Sequence, residues 1–172
     1  TNGKTSVADL FYQILSLNNV PVASIGTLGI KYKKKIIKTN LTSPDTISIH
    51  KILKEIKKNK IDNVIIEASS HGLSQNRLNH LNIKAGIFTN FTQDHLDYHK
   101  TMKSYLNSKL ILFRNILTKK KSIILDKSIK QFLILKKISK QKKLRIIDIS
   151  KIKKNINKIN DLKFNEFQLK NL

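Results

Sequence analysis

The sequence predicts an α/β fold built on a doubly wound, mostly parallel sheet. Three observations point there. Short aliphatic runs recur at 21–27, 62–68, 84–90, 122–126 and 144–150. Segments of helical periodicity fall between them, and such alternation is the mark of strands joined by helical crossovers. Polar stretches rich in Gly, Ser, His and Asp follow two of the runs, where open α/β sheets gather their ligands.

The elements follow in order. In TSVADLFYQILS (residues 5–16), Val7, Leu10, Phe11, Ile14 and Leu15 keep the spacing of an amphipathic helix. PVASIGT (21–27) predicts a short buried strand, and GIKYKKKIIKT (29–39) a hairpin or extended excursion. Pro44 and Asp45 open a helix over about 46–58, with Ile47, Ile49, Ile52, Leu53 and Ile56 on its inner side. DNVIIEA (62–68) is a continuous apolar run ending in an acid, as in a parallel strand covered on both faces. KAGIFTN (84–90) repeats the pattern. Residues 101–117 predict a helix with Tyr105, Leu106, Lys109, Leu110 and Phe113 near one face. SIILD (122–126) and LRIIDIS (144–150) are two more strands around a helix near 128–139. LKFNEFQLK, inside the Lys/Asn-rich stretch 151–172, alternates weakly and suggests one more strand. No internal repeat and no Pro/Gly linker divides the chain.

Composition excludes several classes. The 172 residues are 40% hydrophobic, enough for a core and unlike a disordered chain. The absence of cysteine excludes a disulfide framework and a thiolate metal site. No apolar run approaches the roughly 18 to 20 residues of a membrane span, and no signal peptide is visible, so a cytoplasmic location is expected. The net charge of +23 admits a nucleic-acid partner. The excess is nearly all lysine, however, and is spread along the chain beside over-used Ile and Asn. That trio suits the codon bias of an AT-rich genome. Only Tyr32 lies beside a lysine run, so no stacking platform forms. No nucleic acid is expected as partner, and a basic nucleic-acid-binding module stays as the alternative.

Three stretches carry chemistry: TNGKTS (1–6), EASSHGLSQNR (67–77) and TNFTQDHLDYH (89–99). Gly3-Lys4-Thr5 before an amphipathic helix has the form of a phosphate loop's end. Gly3 lets backbone N–H groups close on phosphate, Lys4 neutralises it, and the Thr5 hydroxyl can join a Mg²⁺ shell. A chance GKT in a lysine-rich chain is the bland alternative. Glu67 closes a strand of aliphatics, either as a hard-oxygen Mg²⁺ ligand or as a solvated acid. His71, His95 and His99 are ambiguous alone. Asp94 and Asp97 suit the first turn of a helix. No Ser-His-Asp triad can be argued from sequence proximity.

Together, TNGKT, EASSHGLSQNR, TNFTQDHLDYH and SYLNSKLILF, in this order and spacing, resemble the ATP-dependent Mur ligases of peptidoglycan synthesis. The SSHGL and DHLDYH wording is most similar to the members that add the third amino acid of the peptide. The resemblance is specific to about residue 115, looser to about 150 and faint beyond. It implies that residues 1–172 are part of the ATP-binding central domain, truncated at both ends, with the uridine-binding and C-terminal domains absent. Such a piece is expected to be inactive alone.

The resemblance also implies roles. Thr1, Asn2, Gly3, Lys4, Thr5 and Ser6 bind ATP. Lys4, Glu67, His95 and Lys109 are the catalytic set. Thr5, Glu67, His95 and Lys109 hold Mg²⁺, with Lys109 converted to a carbamate and so from a cation into an oxygen donor. Thr42, Ser43, Ser69, Gln75 and Arg77 bind the substrate, and Arg77 can grip a carboxylate bidentately. Leu41 stands where many relatives have Asn. The cofactors implied are ATP and Mg²⁺. The partners are small molecules, a UDP-MurNAc-dipeptide and a diamino acid (meso-diaminopimelate or L-lysine), for a protein that is a monomer at full length. Other Mur ligases, folylpolyglutamate synthases and an unrelated P-loop NTPase are the rival readings.

Overall fold

The structure, a computed structural model, describes residues 3–33 and 35–150. The suggested strand in 151–172 lies outside the described residues, as do Thr1 and Asn2. The described chain divides into two compact units: Lys4–His80, and Gly3 with residues 81–150.

In the first unit, helix α1 (Lys4–Leu17) leads into strand β1 (Val22–Gly26). A hairpin follows, β2 (Gly29–Tyr32) and β3 (Lys35–Ile37), then helix α2 (Thr46–Lys58), strand β4 (Asn63–Ile66) and the short helix α3 (Ser70–Ser74). The sheet order is β3-β2-β1-β4. The hairpin pairs antiparallel to β1, while β4 pairs parallel to it, Val22 opposite Asn63 through Ile25 opposite Ile66. The parallel pair follows from the crossover through α2, since a parallel neighbour cannot be reached by a tight turn. Helix α2 starts where Asp45 accepts the Ser48 N–H at 2.9 Å, an N-cap that the Pro-Asp pair foretold.

The core here is Ala8, Val22, Ala23, Ile25, Ile30, Tyr32, Ile49, Ile56, Ile61, Leu73 and Leu78. Three expectations change. Ile47 is 70% exposed rather than inward, because it lies in the first turn of α2, ahead of the buried Ile49 and Ile56. Phe11 and Ile14 are exposed, so the α1 stripe is only partly covered. Strand β4 lies at one end of the order β3-β2-β1-β4 and is half-buried, not covered on both faces.

In the second unit, β5 (Ala85–Phe88) is followed by the short helix α4 (Leu96–His99) and helix α5 (Met102–Ile111). Strand β6 (Ser122–Leu125), helix α6 (Phe132–Lys142) and strand β7 (Arg145–Asp148) complete it. All three strands are parallel, in the order β5-β6-β7. The expected mostly parallel sheet is therefore present as two sheets, one mixed and one wholly parallel.

Phe88, Tyr105, Leu110, Phe113, Leu117, Ile123, Leu125, Leu135 and Ile138 fill this core. The helix expected over 101–117 keeps its inner face but loosens after Ile111 into a π-helical turn, Leu112–Ile116. Helix α6 begins at Phe132, not near 128. There the Ser128 N–H and hydroxyl both bond Asp126 Oδ1, at 2.9 and 2.7 Å, and that local turn competes with helix. No helix among the described residues is long and apolar enough to cross a membrane.

Candidate functional site

The parallel register of β1 and β4 organises the first unit. Continuing it one residue past Ile25 and Ile66 sets Gly26 beside Glu67. A methyl group on Gly26 would lie 2.1 Å from Glu67 Oε1, so only glycine leaves room for the buried carboxylate. The Glu67 backbone N–H extends the ladder by donating to the Ile25 carbonyl at 2.8 Å.

Three donors fix the Glu67 carboxylate. The Thr5 hydroxyl, in the first turn of α1, donates to Oε2 at 2.9 Å. Thr27, immediately after β1, donates its backbone N–H to Oε1 at 3.0 Å and its hydroxyl to Oε2 at 3.2 Å. The loop Thr, the strand-end Thr and the strand-end Glu are thus one hydrogen-bonded set. Just before α1, Gly3 has φ of 94°, a conformation that glycine takes at little cost. Lys4 opens α1, half-buried, and Ser6 is exposed.

The expected substrate-binding residues gather against the same glutamate. Thr42 Oγ1 lies 3.1 Å from Thr27 Oγ1. Ser43 is buried, and its hydroxyl donates to the Glu67 backbone carbonyl at 2.8 Å while accepting the Ser69 N–H at 3.0 Å. With its one proton spent, the 3.1 Å contact to Ser69 Oγ must be donated by Ser69. Ser69 also caps α3, accepting the Gly72 N–H at 3.0 Å. Arg77 donates to the Ser43 carbonyl at 2.8 Å and to Gln75 Oε1. Each terminal guanidinium nitrogen keeps a second N–H. Ser43 is therefore a brace whose hydroxyl is wholly engaged within the protein, while Thr42 and Arg77 are half-buried and Gln75 is exposed.

His95 and Lys109 belong to the other unit, where fully buried Tyr105 organises them. The His95 ring meets Tyr105 edge-on at 5.8 Å between centroids, and Lys109 Nζ lies 5.1 Å from the centre of the same ring. His99 is buried and stacked on Tyr105 at 5.2 Å, with Nδ1 3.3 Å from Ser108 Oγ. It is therefore a core residue, whereas His95 is half-exposed. His95 takes φ of 53° at the start of α4, a left-handed conformation uncommon for a non-glycine residue. Asp94 holds it there, accepting its backbone N–H at 2.9 Å and pairing with Nε2 at 3.3 Å.

The donor set in the first unit suits Mg²⁺. Among the described residues no three His, Asp or Glu side chains form a metal-binding group. One oriented carboxylate beside one hydroxyl is what the protein offers at Glu67 and Thr5, both hard oxygens. Mg²⁺ is commonly held by one or two carboxylates, with water and phosphate completing the shell.

Sequence reasoning missed Thr27 and Gly26. Their signal was the strand-ending Gly-Thr of PVASIGT, but its meaning depends on strand register.

A family model described as the Mur ligase middle domain matches residues 1–171. A relative from Leptospira interrogans, named UDP-N-acetylmuramoyl-L-alanyl-D-glutamate--2,6-diaminopimelate ligase, is 45% identical over 113 residues, covering 66% of this chain and 22% of the relative. A relative of the same name from Rickettsia bellii is 40% identical over 153 residues, covering 86% of this chain and 32% of the relative. A solved structure, also described as a UDP-N-acetylmuramoyl-L-alanyl-D-glutamate--2,6-diaminopimelate ligase, matches with a TM-score of 0.74 at 28% identity, over 86% of this chain and 30% of that one. The chain thus spans between about a fifth and a third of the length of these relatives. With the family model matched almost end to end, and the Thr5–Glu67 pairing beneath it, this chain belongs to the Mur ligase middle-domain family.

Proposed function

We propose that this chain supplies the ATP-binding and acceptor-binding core of a ligase that adds a diamino acid, meso-diaminopimelate, to UDP-MurNAc-L-Ala-D-Glu. The observation that carries the reading is the Glu67 carboxylate, held by the hydroxyl of a GKT loop and by Thr27 at the ends of two parallel strands. The names of the relatives favour this over a folylpolyglutamate synthase or a nucleic-acid-binding module.

In the proposed reaction the side-chain carboxylate of D-glutamate attacks the terminal phosphorus of ATP and ADP leaves. The amine of the diamino acid then attacks the acyl carbon and loses a proton, and the carbon–oxygen bond to phosphate breaks. Glu67 and Thr5 would hold Mg²⁺, which supplies charge neutralisation among converging anionic oxygens. Lys4, at the start of α1, neutralises phosphate charge. Thr42, Ser69, Gln75 and Arg77 orient the acceptor, with Ser43 bracing them. Little covalent work falls to the protein, so positioning and electrostatics carry the rate.

His95 and Lys109 are proposed to serve a second Mg²⁺, supported by their shared seat on Tyr105. Carbamylation of Lys109 would exchange its attraction to the ring face for a metal-ligating oxygen. A monomer at full length, in the cytoplasm, completes the proposal. The domain assignment goes with it: residues 1–172 form part of a central domain.

The test uses UDP-MurNAc-L-Ala-D-Glu carrying ¹⁸O in the D-glutamate side-chain carboxylate, incubated with the intact protein, ATP and the diamino acid. One ¹⁸O should appear in released phosphate, together with the amide product. Phosphate release without ¹⁸O, or independent of the amine, contradicts the reading.

A further inference from the structure

We propose that Thr27 is a positioning residue that orients the Glu67 carboxylate and, through the order of its protons, makes Thr42 a hydrogen-bond acceptor toward the substrate. The inference deepens the ligase reading and rests on it for the identity of the bound molecule.

The available protons set the direction of each bond. An ionised carboxylate only accepts. Thr27 spends its backbone N–H on Oε1 at 3.0 Å and its single hydroxyl proton on Oε2 at 3.2 Å. It therefore has no proton left for Thr42, 3.1 Å away, and Thr42 must donate to Thr27. Thr42 in turn has spent its only proton, so it offers outward nothing but lone pairs. The charge on Glu67 thus fixes a directed chain, Thr42 to Thr27 to Glu67. The group taken at Thr42 is then an N–H or O–H donor, an amide or hydroxyl of the nucleotide-sugar peptide, and not a carboxylate or phosphate oxygen.

Thr27 suits the role. It stands at the end of β1, where the parallel register brings it against the strand-end glutamate. Its side chain is exposed, so its identity answers to what binds there more than to the core. Both oxygens of Glu67 are held by this one residue, and Thr5 reaches only Oε2. Loss of the Thr27 hydroxyl frees the carboxylate to turn about its remaining bonds and lets the Thr42 proton point outward.

The experiment compares the intact protein with Thr27→Val, which keeps the shape and backbone N–H but removes the hydroxyl, and Thr27→Ser, which restores it. Two affinities are measured: UDP-MurNAc-L-Ala-D-Glu without nucleotide, by calorimetry, and Mn²⁺ in the presence of ATP, by electron paramagnetic resonance. Thr27→Val should weaken both by about 10-fold, the scale of a lost orienting partner, and Thr27→Ser should recover both to within about 2-fold of the parent. A merely structural threonine would not separate Val from Ser in this way. Thr27→Val binding both ligands like the parent, or Thr27→Ser as impaired as Thr27→Val, overturns the proposal. Should the parent bind Mn²⁺ with ATP but not the dipeptide, the ligase reading fails, and the Mn²⁺ comparison still decides the role of Thr27. Should Thr27→Val not fold, Thr27→Ala carries the same expectation.

Discussion

The Thr5 hydroxyl and the Glu67 carboxylate, 62 residues apart in sequence, share a 2.9 Å hydrogen bond. The bond ties the first turn of α1 to the end of β4. It uses the one proton of Thr5, so the hydroxyl can meet a cation only with its lone pairs, as a cation ligand must.

Replacing Glu67 by Gln keeps the size of the side chain and removes the charge. Turnover of the intact protein should fall by at least about 100-fold, more than the 10- to 100-fold typical of losing an outer-shell partner. Phosphate release checks this, with urea denaturation to confirm that the fold is kept.

Gly26→Ala tests the space rather than the charge. The added methyl would sit 2.1 Å from Glu67 Oε1, so the glutamate has to move. Overpacking of this kind costs about 1–3 kcal/mol. Mg²⁺ half-saturation should rise as well, and denaturation curves with Mg²⁺ titrations measure the two effects separately.

Tyr105 is fully buried and touches Phe91, His95, His99 and Lys109 through its ring. Tyr105→Ala should cost about 3–5 kcal/mol, as aromatic deletions in cores do. Tyr105→Phe keeps the ring and the seat for His95 and Lys109, and should cost well under half of that. Thermal or urea melts give the comparison.

Acid should weaken the fold through Asp148. Hydrogen bonds from the Ser150 backbone first, and from the Lys127 backbone N–H, hold its pKa down to about 2. An unfolded Asp titrates near 3.9, as a rough reference value. The lowered folded value means the stabilisation is fully present above about pH 4 and is lost as pH falls through about 2. Asp148→Asn should flatten the stability profile in that window, as measured by urea melts at successive pH values.

How much of this was legible in the sequence differs from element to element. Helix α2 was readable because its signals are local: Pro44-Asp45 stops the preceding chain and caps the new helix. The strands were readable as aliphatic runs, and Glu67 as the acid that ends one. Thr27 was not, because its partner lies 40 residues away and only the pairing of β1 with β4 brings them together. The exposure of Ile47 was hidden for a similar reason. Periodicity gives the stripe, but what packs on it decides which of its residues are covered. The π-helical turn after Ile111 has no sequence signature that periodicity detects.

The most direct measurement of the central claim is the anomalous scattering of Mn²⁺ in crystals of the intact protein with a non-hydrolysable ATP analogue. A peak within about 2.6 Å of a Glu67 carboxylate oxygen and of Thr5 Oγ1, the outer range for hard-cation ligation, is the expected result. A nucleotide bound with Mn²⁺ elsewhere, and Thr5 still donating to an otherwise unliganded Glu67, would contradict it.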